Sequence, residues 1–389
     1  MTIEAQYTIE VLKAVIEEKA PKNPPENINW EEFYKFVVGH KVENMMYAAF
    51  CEIEEKIPQN VMAALGERNA MGIANEAIQA LEFEALIDEF EKRGIKNLPL
   101  KGCILKYFYP MPDYRQSGDI DILIAEEDFE KVPPLMKELG YVEDEFDEYE
   151  HHIAYRRPGV LIEIHKKLVE DHNRASRYLT NVWDDVNVRE GYSYSFEMSK
   201  EAMYTYIVAH MAKHIRQGGA GIRLVLDIWI LLKLWNQYFD DEKLNVVLKE
   251  ANLYEFNELA ASLAKMWFGG EESNNKCVIA LGEYVVDSGC YGTKENDKKI
   301  RASTVSDSKI SKILYKLKKF FRSVFLPVCS MREEYPILNR YRFLLPAMWV
   351  RRIIKLLSEG RSAVSKRLSA SLEIKDDAKE LKEIWESVR

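Results

Sequence analysis

The chain has 389 residues, a formal net charge of −9, and 47% hydrophobic and 30% charged residues, which excludes a disordered chain and leaves room for two or three folded cores. Cys51, Cys103, Cys277, Cys290 and Cys329 lie far apart with no CxxC spacing, so neither a zinc site nor a disulfide framework is indicated. The start MTIEAQYTIEV lacks the basic and apolar run of a signal peptide, and a cytoplasmic location is expected.

Up to residue 93 the pattern is helical. YTIEVLKAVIEEK carries apolar residues at helical spacing, PKNPPENIN is a linker, and NWEEFYKFVVGHKV resumes the helix. A long helix is predicted from Val61 to Lys92, closed by Gly94. The period then changes over residues 94–170. IKNLPLKG reads as a strand entering a turn, CILKYFY as a short helix stopped at Pro110, and DIDILI as a second strand. EDFEKVPPLMKELG reads as a helix kinked or broken at Pro133 and Pro134, and the stretch from Tyr141 to Leu168 as two or three antiparallel strands turning at RRPG. The acidic run EDEFDEYE is read as a solvated hairpin. Residues 171–389 are predicted to be a helical region. Its most apolar run, Gly221 to Phe239, is interrupted by Arg223, Asp227 and Lys233 and therefore suits a buried helix better than a membrane span. The predicted class is thus α+β, a small mixed sheet between N-terminal and C-terminal helical regions.

RQSGDIDIL, from Arg115 to Leu123, carries the chemistry. Strand alternation puts Asp119 and Asp121 on one face, where like charges repel unless a cation joins them. VLIEIHKKL puts Glu163 and His165 on one face of a later strand. If the two strands are neighbours, Asp119, Asp121 and Glu163 converge, a donor set suited to Mg²⁺. Upstream, LPLKG leads a strand into a helix near Gly102, whose free N–H groups and lack of a side chain suit a phosphate; Lys101 and Arg115 supply charge. His165 either supports the carboxylates or is a satisfied sheet histidine. His210 and His214, one helical turn apart, suit packing or contact with nucleotide or acceptor better than zinc, because no third ligand is nearby. Arg223 and Asp227 read as an i,i+4 salt bridge.

Strand, glycine turn, helix, Asp-x-Asp and a later acid on a neighbouring strand resemble the DNA polymerase beta-like nucleotidyltransferase superfamily. More narrowly, the chain looks like a bacterial family of uncharacterised nucleotidyltransferases. The likeness is carried by LKGCILKYFYP, R-x-x-x-DIDIL, LGY, EIH, HMAKH, GIRLVLDI and YPILNRYRFLLPAMWVRR. It implies Mg²⁺-dependent transfer of a nucleoside monophosphate from an NTP, ATP being the expected donor, to an acceptor hydroxyl with release of pyrophosphate. Asp119, Asp121 and Glu163 would then be the catalytic and metal-holding residues, with Lys101, Gly102, Arg115, Ser117, His165 and His214 on the nucleotide side. The superfamily's usual turn is Gly followed by Gly or Ser, whereas this chain has Lys101-Gly102, exchanging a hydroxyl for an ammonium. Two alternatives follow: a nucleotide-binding pseudoenzyme, suggested by that turn, or a basic-surface protein that binds nucleic acid or membrane.

The second alternative comes from residues 309–367, where fifteen Lys or Arg face three acids, a local +12 that leaves −9 − 12 = −21 for the remainder. This asymmetry fits an anionic partner, or complementary halves of one fold. Within it, Ile310, Ile313, Leu314, Leu317, Phe320, Phe321, Val324 and Phe325 form one helical stripe among lysines, which suits docking on the protein's own core or lying on a membrane surface.

Overall fold

The first helix, α1 (Ile3–Ile16), starts where Thr2 accepts a hydrogen bond from the Ala5 N–H at 3.2 Å. Asn29 caps α2 (Trp30–His40) in the same way, accepting from the N–H groups of Glu31 and Glu32. Tyr7, Phe33 and Phe50 of α1, α2 and α3 (Glu43–Phe50) pack ring against ring and make the core of this corner. In the computed structural model the described residues are 1–144, 152–168, 179, 181–290, 292–293, 335, 344–349, 351 and 379–388. Met1–Asp297 with Glu383–Arg389 form one compact unit, and Lys298–Lys382 a second. The amphipathic stripe from Ile310 to Phe325 lies outside the described residues, as does all of 309–367 except 335, 344–349 and 351; so do 145–150 of the acidic run. Among the described residues no helix is long and apolar enough to cross a membrane.

The long helix is α4 (Gln59–Arg93), and Gly94 ends it at φ 62°, in the left-handed region that costs glycine nothing. Its Phe83, Leu86, Ile87 and Phe90, spaced three and four apart, bury against the sheet. That sheet has the order β1-β2-β5-β4-β3, built from β1 (Asn97–Pro99), β2 (Ile120–Ile124), β3 (Val142–Glu143), β4 (His152–Arg157) and β5 (Val160–His165). Only β2 and β5 run parallel, with Asp121 opposite Glu163; the other neighbours are antiparallel. Pleating sorts the side chains. Ile120, Ile122, Ile124, Ile162 and Ile164 face the apolar core under α4 and α6 (Val132–Glu138), which leaves Asp121, Glu163 and His165 for the opposite face. The helical stretch breaks at the prolines: a 3-10 segment, Glu126–Lys131, gives way to α6, whose first turn holds Pro133 and Pro134, where a missing N–H is harmless.

A hairpin that periodicity does not announce follows: β6 (Val186–Val188) and β7 (Phe196–Met198), sewn to β1 where the Asn97 N–H donates to the Tyr194 carbonyl at 2.9 Å. Helices then take over: α7 (Lys200–Arg216), α8 (Ile222–Trp235), α9 (Asp241–Glu250), α10 (Tyr254–Ala264), α11 (Lys276–Val286) and α12 (Lys379–Val388). The architecture is α+β, mainly helical around one small mixed sheet.

His40 ties the N-terminal helices to this bundle. Its Nε2–H donates to the Val286 carbonyl and its Nδ1 accepts from the Ile222 N–H, each at 3.2 Å, so the buried ring must be neutral. Burial lowers its pKa to about 4. An unfolded histidine binds a proton below its ordinary value near 6.5, so the unfolded chain holds the extra proton between pH 6.5 and 4. Stability from His40 is therefore complete above pH 6.5 and lost as pH falls toward 4, by roughly 3 kcal/mol in all. Urea unfolding measured from pH 7.5 to 4 should show this loss, and His40→Gln should remove its share of the slope; an unchanged slope would refute the assignment.

Candidate active site

The loop leading into β2, residues 115–118, has little regular structure of its own and is held from three sides. The Arg115 guanidinium donates to both carboxylate oxygens of Asp227 on α8, through Nε at 2.8 Å and Nη2 at 2.9 Å. The Gln116 side chain donates to Asn44 on α3 at 2.7 Å, and its carbonyl accepts from Arg223. Gln79 of α4 donates to the Ser117 carbonyl at 3.1 Å. Gly72 permits the approach of α4, since a Cβ there would lie 2.6 Å from the Asn44 amide.

Arg115 is buried and paired through Nε and Nη2 with Asp227, which also accepts from the Tyr109 hydroxyl at 2.7 Å; its Nη1 stands against Gly102, 3.0 Å from where a Cβ there would be. One expectation is corrected here. Arg223 and Asp227 are not ion-paired: the carboxylate is already filled, and Arg223 turns to the Gln116 carbonyl instead.

The turn before the short helix α5 (Gly102–Leu105) is tight. Lys101 takes φ 40°, ψ −113°, a conformation that costs a side-chain-bearing residue roughly 1–3 kcal/mol. What holds it is its ammonium, 2.8 Å from Asp121 Oδ1. Gly102 needs its missing side chain, because a Cβ would meet Ser117 Oγ at 2.7 Å. The N–H groups of Cys103, Ile104 and Leu105 already donate to the carbonyls of Leu100 and Lys101, so this single helical turn offers a phosphate less than its sequence suggests.

Asp121 lies at the centre of the site. On one side it accepts from Lys101; on the other, His165 Nε2 approaches Oδ1 at 2.8 Å and also lies 3.4 Å from Glu163 Oε2. Burial alone would raise the pKa of Asp121, but Lys101 and His165 hold it well below the carboxylate range. Burial works against the His165 cation, and Asp121 and Glu163 reverse this, so its pKa is raised. Asp119, just outside the strand, accepts from Ser117 Oγ at 3.1 Å. Its pKa is pushed up to about 6, first by the Asp121 charge and then by burial. Lys101 and His165 thus flank Asp121, while at Asp119 the Lys101 charge and the Ser117 bond offset only part of the repulsion and burial.

Asp121, Glu163 and His165 form a candidate metal site, their ligand atoms all within 4.8 Å of one another. Two carboxylates and one imidazole suit a divalent cation, Mg²⁺ through oxygen and Mn²⁺ through either donor. Asp119 is not in that group of three but adjoins it through the loop, as the Asp119 repulsion from Asp121 indicates. His152 on β4 lies 4.0 Å from Glu163, and its ring is tilted against that of His165, ring centres 5.1 Å apart.

Helix α7 presents Tyr206, His210 and His214 at four-residue steps. The buried Tyr206 feels the charges of Lys101, Asp121, Glu163 and Asp119. His210 and His214 meet at 3.2 Å between Nε2 atoms, so one ring donates to the other. Burial first, and then the Lys101 charge, lowers both pKa values, that of His214 to about 4. Tyr206 and His152 escaped the sequence reading; Tyr206 stands one helical turn before His210, and His152 lies opposite His165 across β4 and β5.

Beside the loop opens a cleft of about 210 Å³, lined among others by Lys41, Asn75, Gln79, Gly102, Ser117 and Asp119.

The fold and site define an α+β protein whose sheet pairs two acids over parallel strands as a candidate cation site beside a tight Lys-Gly turn. The chain belongs to the family described as "Uncharacterised nucleotidyltransferase", whose model matches residues 26–269 and takes in every site residue named here. Neither a curated protein nor a solved structure matches the chain.

Proposed function

We propose that the protein transfers a nucleoside monophosphate from an NTP, with ATP the expected donor, to a hydroxyl of an acceptor, with Mg²⁺, in the manner of polymerase beta-like nucleotidyltransferases. The observation that carries this reading is Asp121 set opposite Glu163 on parallel strands, in a chain of a nucleotidyltransferase family. Asp119, Asp121 and Glu163 would hold the ion, with His165 beside them. When bound, such an ion neutralises charge that develops on the phosphoryl oxygens. Asp121 keeps its charge because Lys101 and His165 stabilise it, and Glu163, 18% exposed at its side chain, is the acid open to an incoming hydroxyl. In the reaction the acceptor oxygen bonds to the α-phosphorus, the bond to the pyrophosphate oxygen breaks, and Glu163 takes the hydroxyl proton. Gly102 and Ser117 border the nucleotide, with His214 on the α7 side.

A second reading has its own support. The Lys101 ammonium already stands on Asp121 at 2.8 Å, as a built-in cation would in a nucleotide-binding pseudoenzyme. Incubation with each α-labelled NTP and Mg²⁺, with and without cell extract, separates the two. Labelled product together with pyrophosphate supports transfer. Saturable NTP binding with no product under any condition supports the pseudoenzyme, and no NTP binding overturns both.

A further inference from the structure

The cleft beside the 115–118 loop is asymmetric in charge. Four cationic residues line it, Lys41, Lys106, Arg115 and Arg223, against two acids, Glu76 and Asp119. Two of the cations are spoken for: Lys106 is paired with Glu76 at 2.8 Å, and Arg115 with Asp227. Lys41 and Arg223 take part in no ion pair among the described residues. Arg223 donates to the Gln116 carbonyl, and its buried Nε–H has no acceptor among the described residues. A buried, unsatisfied guanidinium N–H is costly unless an acceptor arrives, and an anion with several oxygens is the acceptor that the planar fork fits best.

Place and size narrow the choice of anion. Gly102, Ser117, Gly118 and Asp119 form the wall shared with the acid cluster, so an oxyanion in the cleft adjoins the residues that would hold the metal ion. The cleft, about 210 Å³, has room for phosphoryl groups. Asn75, Gln79 and Gln116 add carboxamides to the wall without adding charge.

We propose that this cleft seats the terminal phosphates of the donor nucleotide, and then the pyrophosphate that leaves, with Arg223 of α8 and Lys41 after α2 as the residues that grip them. The inference rests on the nucleotidyl-transfer reading and adds to it a leaving-group site built from the helices on either side of the sheet region. Arg223 gains the acceptor that its Nε lacks. Lys41 neutralises a second oxygen from across the cleft.

The test is calorimetric titration of inorganic pyrophosphate in the presence of Mg²⁺, with AMP as a single-phosphate control. Wild type is compared with Arg223→Gln, Arg223→Lys and Lys41→Ala. Arg223→Gln should weaken pyrophosphate binding roughly tenfold or more, and Lys41→Ala somewhat less, the scale of a lost charge-assisted bond. Arg223→Lys should recover part of the loss, and AMP affinity should change far less in every variant. Melting of the ligand-free proteins reports folding; if Arg223→Gln does not fold, Lys41→Ala carries the test. Wild-type pyrophosphate affinity in the folded variants overturns the leaving-group site while the NTP chemistry stands. If wild type binds neither pyrophosphate nor any NTP, the transfer reading falls, and this inference with it.

Discussion

Replacing Asp121 with asparagine is expected to abolish nucleotidyl transfer, by roughly a thousandfold or more, while the chain still folds. The asparagine keeps the shape of the side chain and loses the charge that Lys101 and His165 both address. Several kcal/mol of transition-state stabilisation is the scale of losing a metal ligand, and about 4 kcal/mol is a thousandfold in rate. Relief of repulsion with Asp119 does not make Asp121 dispensable. Lys101 and His165 both reach its carboxylate, so the substitution weakens two contacts at once. Transfer from labelled NTP, with circular dichroism to check folding, decides the matter; near wild-type turnover in Asp121→Asn would remove this residue from the mechanism.

The largest loss of stability is expected from Asp227→Asn. Asp227 is 1% exposed and accepts from the buried Arg115 and from Tyr109, so the substitution leaves an arginine charge without its counter-charge in the interior. Breaking a buried pair on one side costs about 3–5 kcal/mol, which lowers the melting temperature by on the order of 10 °C. The double change Arg115→Met with Asp227→Leu should recover much of that loss, because a matched apolar pair carries no desolvation debt. Calorimetry on the two proteins checks both statements, and Asp227→Asn melting with wild type would show the pair to be idle.

Local patterns in the sequence reach some of this and not the rest. Alternation in DIDIL and VLIEIH gave the two faces of β2 and β5, because a pleated strand with one apolar face leaves its imprint every second residue. Gly94 marked the end of α4, since few other residues take a positive φ cheaply. The partner of Arg115 was out of reach: Asp227 is 112 residues away, and spacing within a helix pointed it at Arg223 instead. The hairpin of β6 and β7 has three residues per strand, too short for periodicity to register. At Lys101 a residue type suited to a solvated turn concealed a strained backbone and an ammonium turned inward. His165 could be placed on the Glu163 face, but its closeness to Asp121 follows from strand pairing, which no single strand reveals.

The 115–118 loop, pinned by Asn44, Gln79, Arg223 and Asp227, makes the fold brittle in a particular way. A screen for inactive mutants would collect changes at Asn44, 72 residues upstream of Gln116, or at Gln79, 38 residues before Ser117, that leave the acids in place. Such lesions would imitate active-site damage in a genetic map. For this protein, the positions intolerant of change should trace a belt through three helices rather than a spot on one sheet.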